Sequence, residues 1–324
     1  MSVSFAGSPD RAEARLAPAA GFEFDPFRVS GFPRRPGPAL ARAAGQAALA
    51  PAACVRILER RRPDVVLGGG GFVAGPMVVA AWVKRIPAAL MEADAHLGLA
   101  NRLAAPFARR VFLSYAIERR EGAKYRVTGR PVRHTERPSS AEARRGFGLP
   151  PDGPALLVFG GSQGSEALNE LAVESFGPSG PPVLHLCGER YLARLQSRIA
   201  RPDYVLLPWT DDFASVVAAA DVVLARAGGS VWEVAAAGKP AVLVPSPNVT
   251  ADHQTKNARY FQQGGGAIVV PETEIGRAAD VVRSLLGDER RRKEMGEAML
   301  RLARPDAAER IADDLIELAR PGAR

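Results

Sequence analysis

The chain has 324 residues, 47% hydrophobic and 24% charged, which suits about two soluble globular domains and excludes a disordered, collagen-like or disulfide-scaffold protein. Its formal charge is +8, and only five of the 43 basic residues are lysine. The arginines are scattered, aromatics are 6% and no nucleic-acid motif occurs, so the excess points to anionic lipid, to phosphorylated small molecules or to a coding bias toward arginine, not to a nucleic-acid partner.

No apolar leader opens the chain. A first strand is predicted over 2–5, then a helix over 40–61 with a kink at Pro51, and a strand over 64–67. Residues 65–83 carry no charge, but Gly68 to Gly71 and the pair Gly75-Pro76 interrupt them. We read a buried strand, a glycine loop and a helix from about Pro76 (over 75–84), not a membrane span. Strands follow over 88–91, 110–114, 155–159, 183–186, 204–207, 222–224, 241–244 and 267–270, with helices over 166–175, 213–219, 231–237, 253–262 and 288–303. An amphipathic helix closes the chain over 307–319, after Pro305. Cys54 and Cys187 lie in apolar runs and read as buried, reduced thiols; two cysteines alone build no zinc site.

Most of these strands are continuous apolar runs, as in parallel strands covered on both faces. Repeated strand–helix units make the class α/β, with two Rossmann-like domains whose parallel sheets face each other across a cleft. A stretch rich in Pro, Gly, Ser and charge separates them. The expected division is 1–134 for the first domain, 135–154 for a linker, 155–304 for the second domain and 305–324 for a C-terminal helix.

Four strand–helix junctions carry the chemistry. In Phe159-Gly160-Gly161-Ser162-Gln163-Gly164 the glycines let backbone amides approach a phosphate, and Ser162 adds a hydroxyl. A tight turn with no ligand is the plain alternative, and G-x-S-x-G also fits a hydrolase nucleophile elbow at Ser162, with His253 as its downstream histidine. Arg226-Ala227-Gly228-Gly229-Ser230 could form a second phosphate-facing turn, with Glu233 able to accept both hydrogens of a ribose diol. Ser230-Val231-Trp232-Glu233 equally fits a capping box, which the residues alone favour. At the third junction Asp252 could cap a helix whose first turn holds His253 and Gln254, suited to sugar hydroxyls. Asn248-Val249-Thr250 matches a glycosylation sequon by chance. At the fourth, Gly68 to Gly71 and the loop from Glu92 through Asp94 and His96 to Asn101 both follow strand ends; Glu92 and Asp94 could act as base and orienting group, or merely cap and solvate the loop. There is no Walker A lysine pattern, no HExxH, and no G-x-G-x-x-G with its partner acid, which argues against an NTPase, a zincin and a dehydrogenase.

The segments DVVLGGGGFVAGP, EADAHLGLANRL, GRPVR, VFGGSQGSEALNE, WTDDF and RAGGSVWEVAAAGKPAVLVPSPNVTADHQTKNA, in this order, resemble the MurG family, over nearly the whole chain. The resemblance implies a GT-B fold and inverting, metal-independent transfer of N-acetylglucosamine from UDP-N-acetylglucosamine to the C4 hydroxyl of lipid I, with no cofactor. By position, Arg133 and Ser162, with Gly161 and Gln163, would meet the donor diphosphate, as would the amides of Gly228, Gly229 and Ser230. The Thr210 backbone would read uracil, Glu233 would hold the ribose, and His253 and Gln254 would reach the sugar. Gly69, Gly70, Gly71 and Asn101 would belong to the acceptor side, with Glu92 and Asp94 the residual candidates for the base.

The resemblance also has departures. The family begins with a strand and a Gly-Gly-Thr-Gly-Gly-His loop, whereas this chain starts at what resembles the second strand. We read a start codon placed too late or an incomplete gene, in preference to an enzyme that truly lacks this loop, with the first sheet left an unpaired edge. Met91-Glu92-Ala93-Asp94 stands where His-Glu-Gln-Asn is usual, and the turn before Glu233 is one residue short. The implied location is the cytoplasmic face of the membrane, peripherally, on an anionic surface. The apolar stretch 39–55, whose only charge is Arg42, is a candidate contact surface or a core helix.

Overall fold

The computed structural model describes residues 2–29, 37–133 and 138–320. The chain forms two compact units, Met1–Gly129 with Ala308–Arg324, and Arg130–Ala307.

In the first unit β1 (Ser4–Gly7), α1 (Glu13–Ala19) and β2 (Glu23–Pro26) precede α2 (Pro38–Arg61), β3 (Val66–Gly68), α3 (Gly71–Val83), β4 (Ala88–Glu92), α4 (Leu99–Ala104), β5 (Arg110–Leu113) and β6 (Tyr125–Val127). Every pairing is parallel, in two separate sheets: β1-β2, and β3-β4-β5-β6. Strands β2 and β6 escape the apolar-run reading because each is an edge strand with polar residues and exposed positions. Helix α2 carries Pro51 inside one continuous element. Helix α3 starts at Gly71, five residues before the expected Pro76, which lies in its interior. Gly70, at φ +97°, turns the chain from strand into helix with no intervening loop, a backbone open to glycine at little cost. Gly68 is required by packing, since a β-carbon there would lie 2.8 Å from Leu90 Cδ2. At the end of β2, Asp25 is buried between the guanidinium groups of Arg60 and Arg61 at the end of α2, and their hydrogen bonds hold its carboxyl below the usual range.

The second unit contains α5 (Ser140–Gly146), β7 (Leu156–Phe159), α6 (Glu166–Phe176), β8 (Val183–Leu186), α7 (Leu192–Gln196), β9 (Tyr204–Leu207), α8 (Phe213–Ala219), β10 (Val222–Ala225), α9 (Val231–Ala236), β11 (Ala241–Leu243), α10 (His253–Gln263), β12 (Ala267–Val269), α11 (Gly276–Gly287) and α12 (Glu289–Leu302). The last helix, α13 (Ala307–Ala319), belongs to the first unit from Ala308 onward, and within that unit Ile311 and Leu318 form a small core with Ala89 and Phe112. Within the stretch expected as linker, α5 is an ordered helix with a complete Ser139–Glu142 capping box. Its buried Arg144 donates 3.0 Å to the Ala219 carbonyl and pairs with Asp221.

The six strands run in the order β12-β11-β10-β7-β8-β9, all parallel. After β7 the chain moves to β8 on one side and later returns to β10 on the other. The strand order therefore reverses between β7 and β10, and ligands bind beyond strand ends at such a switch point.

Beneath that edge lies a buried polar network. His185 of β8 is 0% exposed, with Nε2 3.0 Å from Asn169 Oδ1 and Nδ1 2.9 Å from Tyr204 Oη. The Asn169 amide nitrogen donates 2.9 Å to the Cys187 carbonyl, so Oδ1 is left to accept from Nε2–H, and the tyrosine hydroxyl donates to Nδ1. Burial pushes the imidazole down from 6.5 to about 3. Between these values only the unfolded chain takes up the proton, so this contribution to stability is full above about pH 6.5 and is lost as pH falls toward 3. Urea unfolding should show the wild type losing about 2 kcal/mol more than a His185→Gln variant between pH 8 and pH 5. Parallel pH profiles would refute the assignment.

Candidate active site

Two turns spring from adjacent strand ends at the switch point. Phe159 and Ala225 are register partners in β7 and β10. The 160–165 turn follows the first and the 226–230 turn the second, and the Arg226 N–H donates 3.3 Å to the Phe159 carbonyl. The glycines of the first turn divide their work. A β-carbon at Gly160 would lie 2.4 Å from Ser165 Cβ, and one at Gly164 (φ +72°) 1.9 Å from the Cys187 carbonyl oxygen, whereas Gly161 (φ +91°) meets nothing within 4 Å. Gly160 and Gly164 therefore serve internal packing, and Gly161 presents an open backbone face. Gly161, Ser162 and Gln163 are all exposed.

Ser162 is not among the positive-φ residues, and α6 begins only at Glu166. A nucleophile elbow needs a sharp, strained strand-to-helix turn at the serine, so the hydrolase reading of this motif fails.

In the second turn Ser230 has helical backbone angles and its side chain accepts no capping bond. The capping box favoured from the residues is therefore not formed, because α9 opens with tight contacts such as Glu233 N–H to the Ser230 carbonyl at 3.1 Å. Glu233 is left facing a cavity of about 260 Å³ lined also by Val132, Arg133, Thr210, Asp212 and Phe213. Burial raises its pKa, opposed by the charges of Arg130 and Arg133 and by a hydrogen bond from Ser230. Arg133, Thr210 and Glu233, three residues singled out from separate motifs, thus line one cavity.

His253 begins α10, as expected, but Asp252 does not cap it. Ala251 (φ +54°) and Asp252 (φ +51°) are both left-handed, and the Asp252 side chain accepts no capping bond. Such a conformation is strained for residues other than glycine. Gln254 accepts the Ser246 N–H at 2.8 Å through Oε1, which leaves its amide N–H groups to donate.

Three supporting residues were not singled out from the sequence. Arg226 is buried; it donates to Ser165 Oγ (3.0 Å) and the Val244 carbonyl (3.1 Å) and pairs with Glu272. It ties the first turn to the ends of β10 and β11. Asn257 donates 3.1 Å to the Ala227 carbonyl and fixes the second turn. The Arg130 guanidinium lies against Gly229. The quoted motifs contained all three, but only their partners reveal what they do.

The other candidates lie in the first unit. Glu92 is 7% exposed, and its carboxylate accepts from the Asp94 N–H (3.2 Å), the Gly98 N–H (2.9 Å) and Asn101 Nδ2 (2.9 Å). Asn101 also donates 3.1 Å to the Met91 carbonyl, toward which Gly70 packs. Gly69, Gly70, Gly71, Glu92, Asp94 and Asn101 therefore gather at the ends of β3 and β4, with Glu92 acting as the clamp of its loop.

Residues 1–113 match the glycosyltransferase family 28 N-terminal domain and residues 155–311 the family 28 C-terminal domain. The chain is 38% identical to a protein of Salinibacter ruber, over 98% of this chain and 88% of the relative, and 38% identical to one of Rubrobacter xylanophilus, over 99% and 96%. Both relatives are named UDP-N-acetylglucosamine--N-acetylmuramyl-(pentapeptide) pyrophosphoryl-undecaprenol N-acetylglucosamine transferase. The crystal structure of Acinetobacter baumannii MurG superposes with a TM-score of 0.78 at 26% identity, covering 98% of this chain and 91% of that one. The fold and the paired domains define a two-domain glycosyltransferase of the GT-B class. Within that class the chain belongs to the MurG family.

Proposed function

We propose that the chain transfers N-acetylglucosamine from UDP-N-acetylglucosamine to the C4 hydroxyl of the muramyl sugar of lipid I, forming lipid II. The observation that carries this reading is the cavity shared by Arg133, Thr210 and Glu233 beside two glycine turns at a strand-order reversal, in a chain of this family. Glu233 takes the ribose diol, the Thr210 backbone takes uracil, and Arg133, Gly161, Ser162, Gln163, Gly228, Gly229 and Ser230 surround the diphosphate. His253 and the Gln254 amide take the sugar hydroxyls.

In the reaction the acceptor oxygen forms a bond to the anomeric carbon as the bond to the diphosphate oxygen breaks. The electron pair leaves with UDP, where backbone amides and guanidinium groups stabilise the developing charge. The first unit, with Gly69, Gly70, Gly71 and Asn101, is the acceptor side, and the division into acceptor domain, donor domain and C-terminal helix follows these roles. The acceptor proton passes to Asp94 in this reading, since three donors already occupy the Glu92 carboxylate.

Calorimetry with UDP, followed by transfer of labelled N-acetylglucosamine to a lipid I analogue, tests the proposal. Turnover supports it. Turnover on non-lipid acceptors alone makes the protein a different UDP-sugar transferase, and UDP binding with no turnover on any acceptor makes it a nucleotide-sugar-binding remnant.

The reading places the enzyme peripherally on an anionic membrane at the cytoplasmic face. No described helix is long and apolar enough to cross a membrane. Trp82 and Val83 at the end of α3, with Leu99 and Leu103 on α4, are more than half exposed, and Lys84, Arg85 and Arg102 beside them are exposed too. Apolar tips among basic residues suit an anionic lipid surface. In the stretch 39–55, by contrast, Ala50 and Cys54 are buried and Leu49 is exposed. A Trp82→Ser, Leu103→Ser double variant should sediment with anionic vesicles at least tenfold more weakly than the wild type, consistent with the transfer energies of two large apolar side chains. Equal sedimentation would remove this surface from the account.

A further inference from the structure

Arg130 was not among the candidate donor-site residues. A β-carbon built on Gly229 would lie 2.4 Å from Arg130 Cζ and 2.6 and 2.8 Å from its two terminal nitrogens. The guanidinium therefore rests directly on the α-carbon of the central residue of the second turn. No larger residue fits at 229 while Arg130 holds this position. Arg130 is half-buried, and among the described residues no carboxylate forms an ion pair with it. Its charge is felt at Glu233, on which Arg130 acts more strongly than Arg133 does. A half-buried cation that makes no ion pair among the described residues, lying on a turn whose residues Gly228, Gly229 and Ser230 donate no backbone hydrogen bond to a described residue, has the surroundings of an anion site.

We propose that Arg130 is a further ligand of the donor diphosphate, acting with the second turn while Arg133 acts from the cavity wall. The two guanidinium groups sit three residues apart on one segment, Arg130-Pro131-Val132-Arg133. An extended segment of that length spans roughly 10 Å, and long side chains at its two ends can converge on one diphosphate from different directions. Arg130 thereby favours UDP-sugars over nucleosides and monophosphates, and it stabilises the leaving group as the glycosidic bond to phosphate breaks. A planar guanidinium held on Gly229 can present two parallel N–H groups to a phosphate, which a lysine cannot.

This proposal rests on the donor-site reading above, and the test separates the two. Wild type, Arg130→Gln and Arg130→Lys are titrated with UDP by calorimetry and with uridine by ligand-observed NMR into the millimolar range. UDP affinity should fall about ten- to a hundredfold in Arg130→Gln, the size of one or two charge-assisted hydrogen bonds, while uridine affinity stays at the wild-type value. Arg130→Lys should recover part of the loss. Equal losses for UDP and uridine would mean a structural role only, and no loss for either would mean an idle side chain; both overturn the proposal. If the wild type binds neither ligand, the donor-site reading itself falls and takes this proposal with it.

Discussion

Replacing Glu233 by alanine is expected to weaken UDP binding about a hundredfold in a protein that remains folded. The residue is in the third position of α9, it faces the cavity with Arg133 and Thr210, and its carboxylate accepts a hydrogen bond from the Ser230 hydroxyl that a ribose would compete with. A carboxylate that accepts from two ribose hydroxyls makes two charge-assisted hydrogen bonds, each worth about 1.5–3 kcal/mol when desolvated. Water returning to the truncated site offsets part of this, which leaves roughly the two decades expected. Glu233→Gln keeps the shape and removes the charge, so it should lose about tenfold. The decisive comparison is UDP against 2′-deoxy-UDP by calorimetry: the wild type should discriminate between them, and Glu233→Ala should bind both alike. Because burial holds the carboxyl above its ordinary value, wild-type UDP affinity should also begin to fall, on acidification, at a higher pH than a solvated glutamate would set. An unchanged UDP affinity in folded Glu233→Ala would remove the donor pocket from the account.

The sequence shows the second unit more clearly than the first for a physical reason. Strands β7, β8 and β10 are interior and buried throughout, so burial on both faces writes them as apolar runs; β9 is an edge but half-buried and wholly apolar in sequence, and the predicted ends of all four agree with the observed ones to within a residue. β2 and β6 are edges, where one side meets water and residues such as Glu23 and Arg126 are tolerated. The glycine turns were legible because glycine at a strand end is unusual, yet the residues could not say which glycine packs and which faces a ligand. That distinction depends on the Cys187 carbonyl, 23 residues beyond Gly164. Arg226 was hidden similarly, since its partners Ser165 and Val244 lie 61 and 18 residues away. The capping box at Ser230 failed because a four-residue pattern describes the helix start but not the backbone angles imposed by the preceding turn. Glu92 read as a possible base because two nearby carboxylates suggest acid–base work; only the fold shows three donors converging on it.

Gly164→Ala should be the most disruptive single methyl in the donor domain, and Gly161→Ala, three residues earlier, should act on binding instead. Both glycines have positive φ, +72° and +91°, so either substitution places alanine in a left-handed conformation that costs about 1–2 kcal/mol. Their surroundings differ. The new methyl at 164 would stand 1.9 Å from the Cys187 carbonyl oxygen and 3.0 Å from Tyr191 Cδ2, so the end of β8 or the turn must move. Movement of Cys187 strains the bond its carbonyl accepts from Asn169, and through Asn169 the buried His185 and Tyr204. Backbone strain, overlap and a disturbed buried network together should exceed about 3 kcal/mol, lowering the melting temperature by about 10 °C for a domain of this size. At 161 the methyl enters open space, so the melting temperature should fall by only a few degrees, while the same methyl occupies the face offered to the diphosphate and should weaken UDP at least tenfold without changing uridine. Thermal unfolding and calorimetry on the two variants together decide the matter. A Gly164→Ala protein melting like the wild type would refute the packing role, and a Gly161→Ala protein binding UDP normally would refute the assignment of that backbone face to the phosphate.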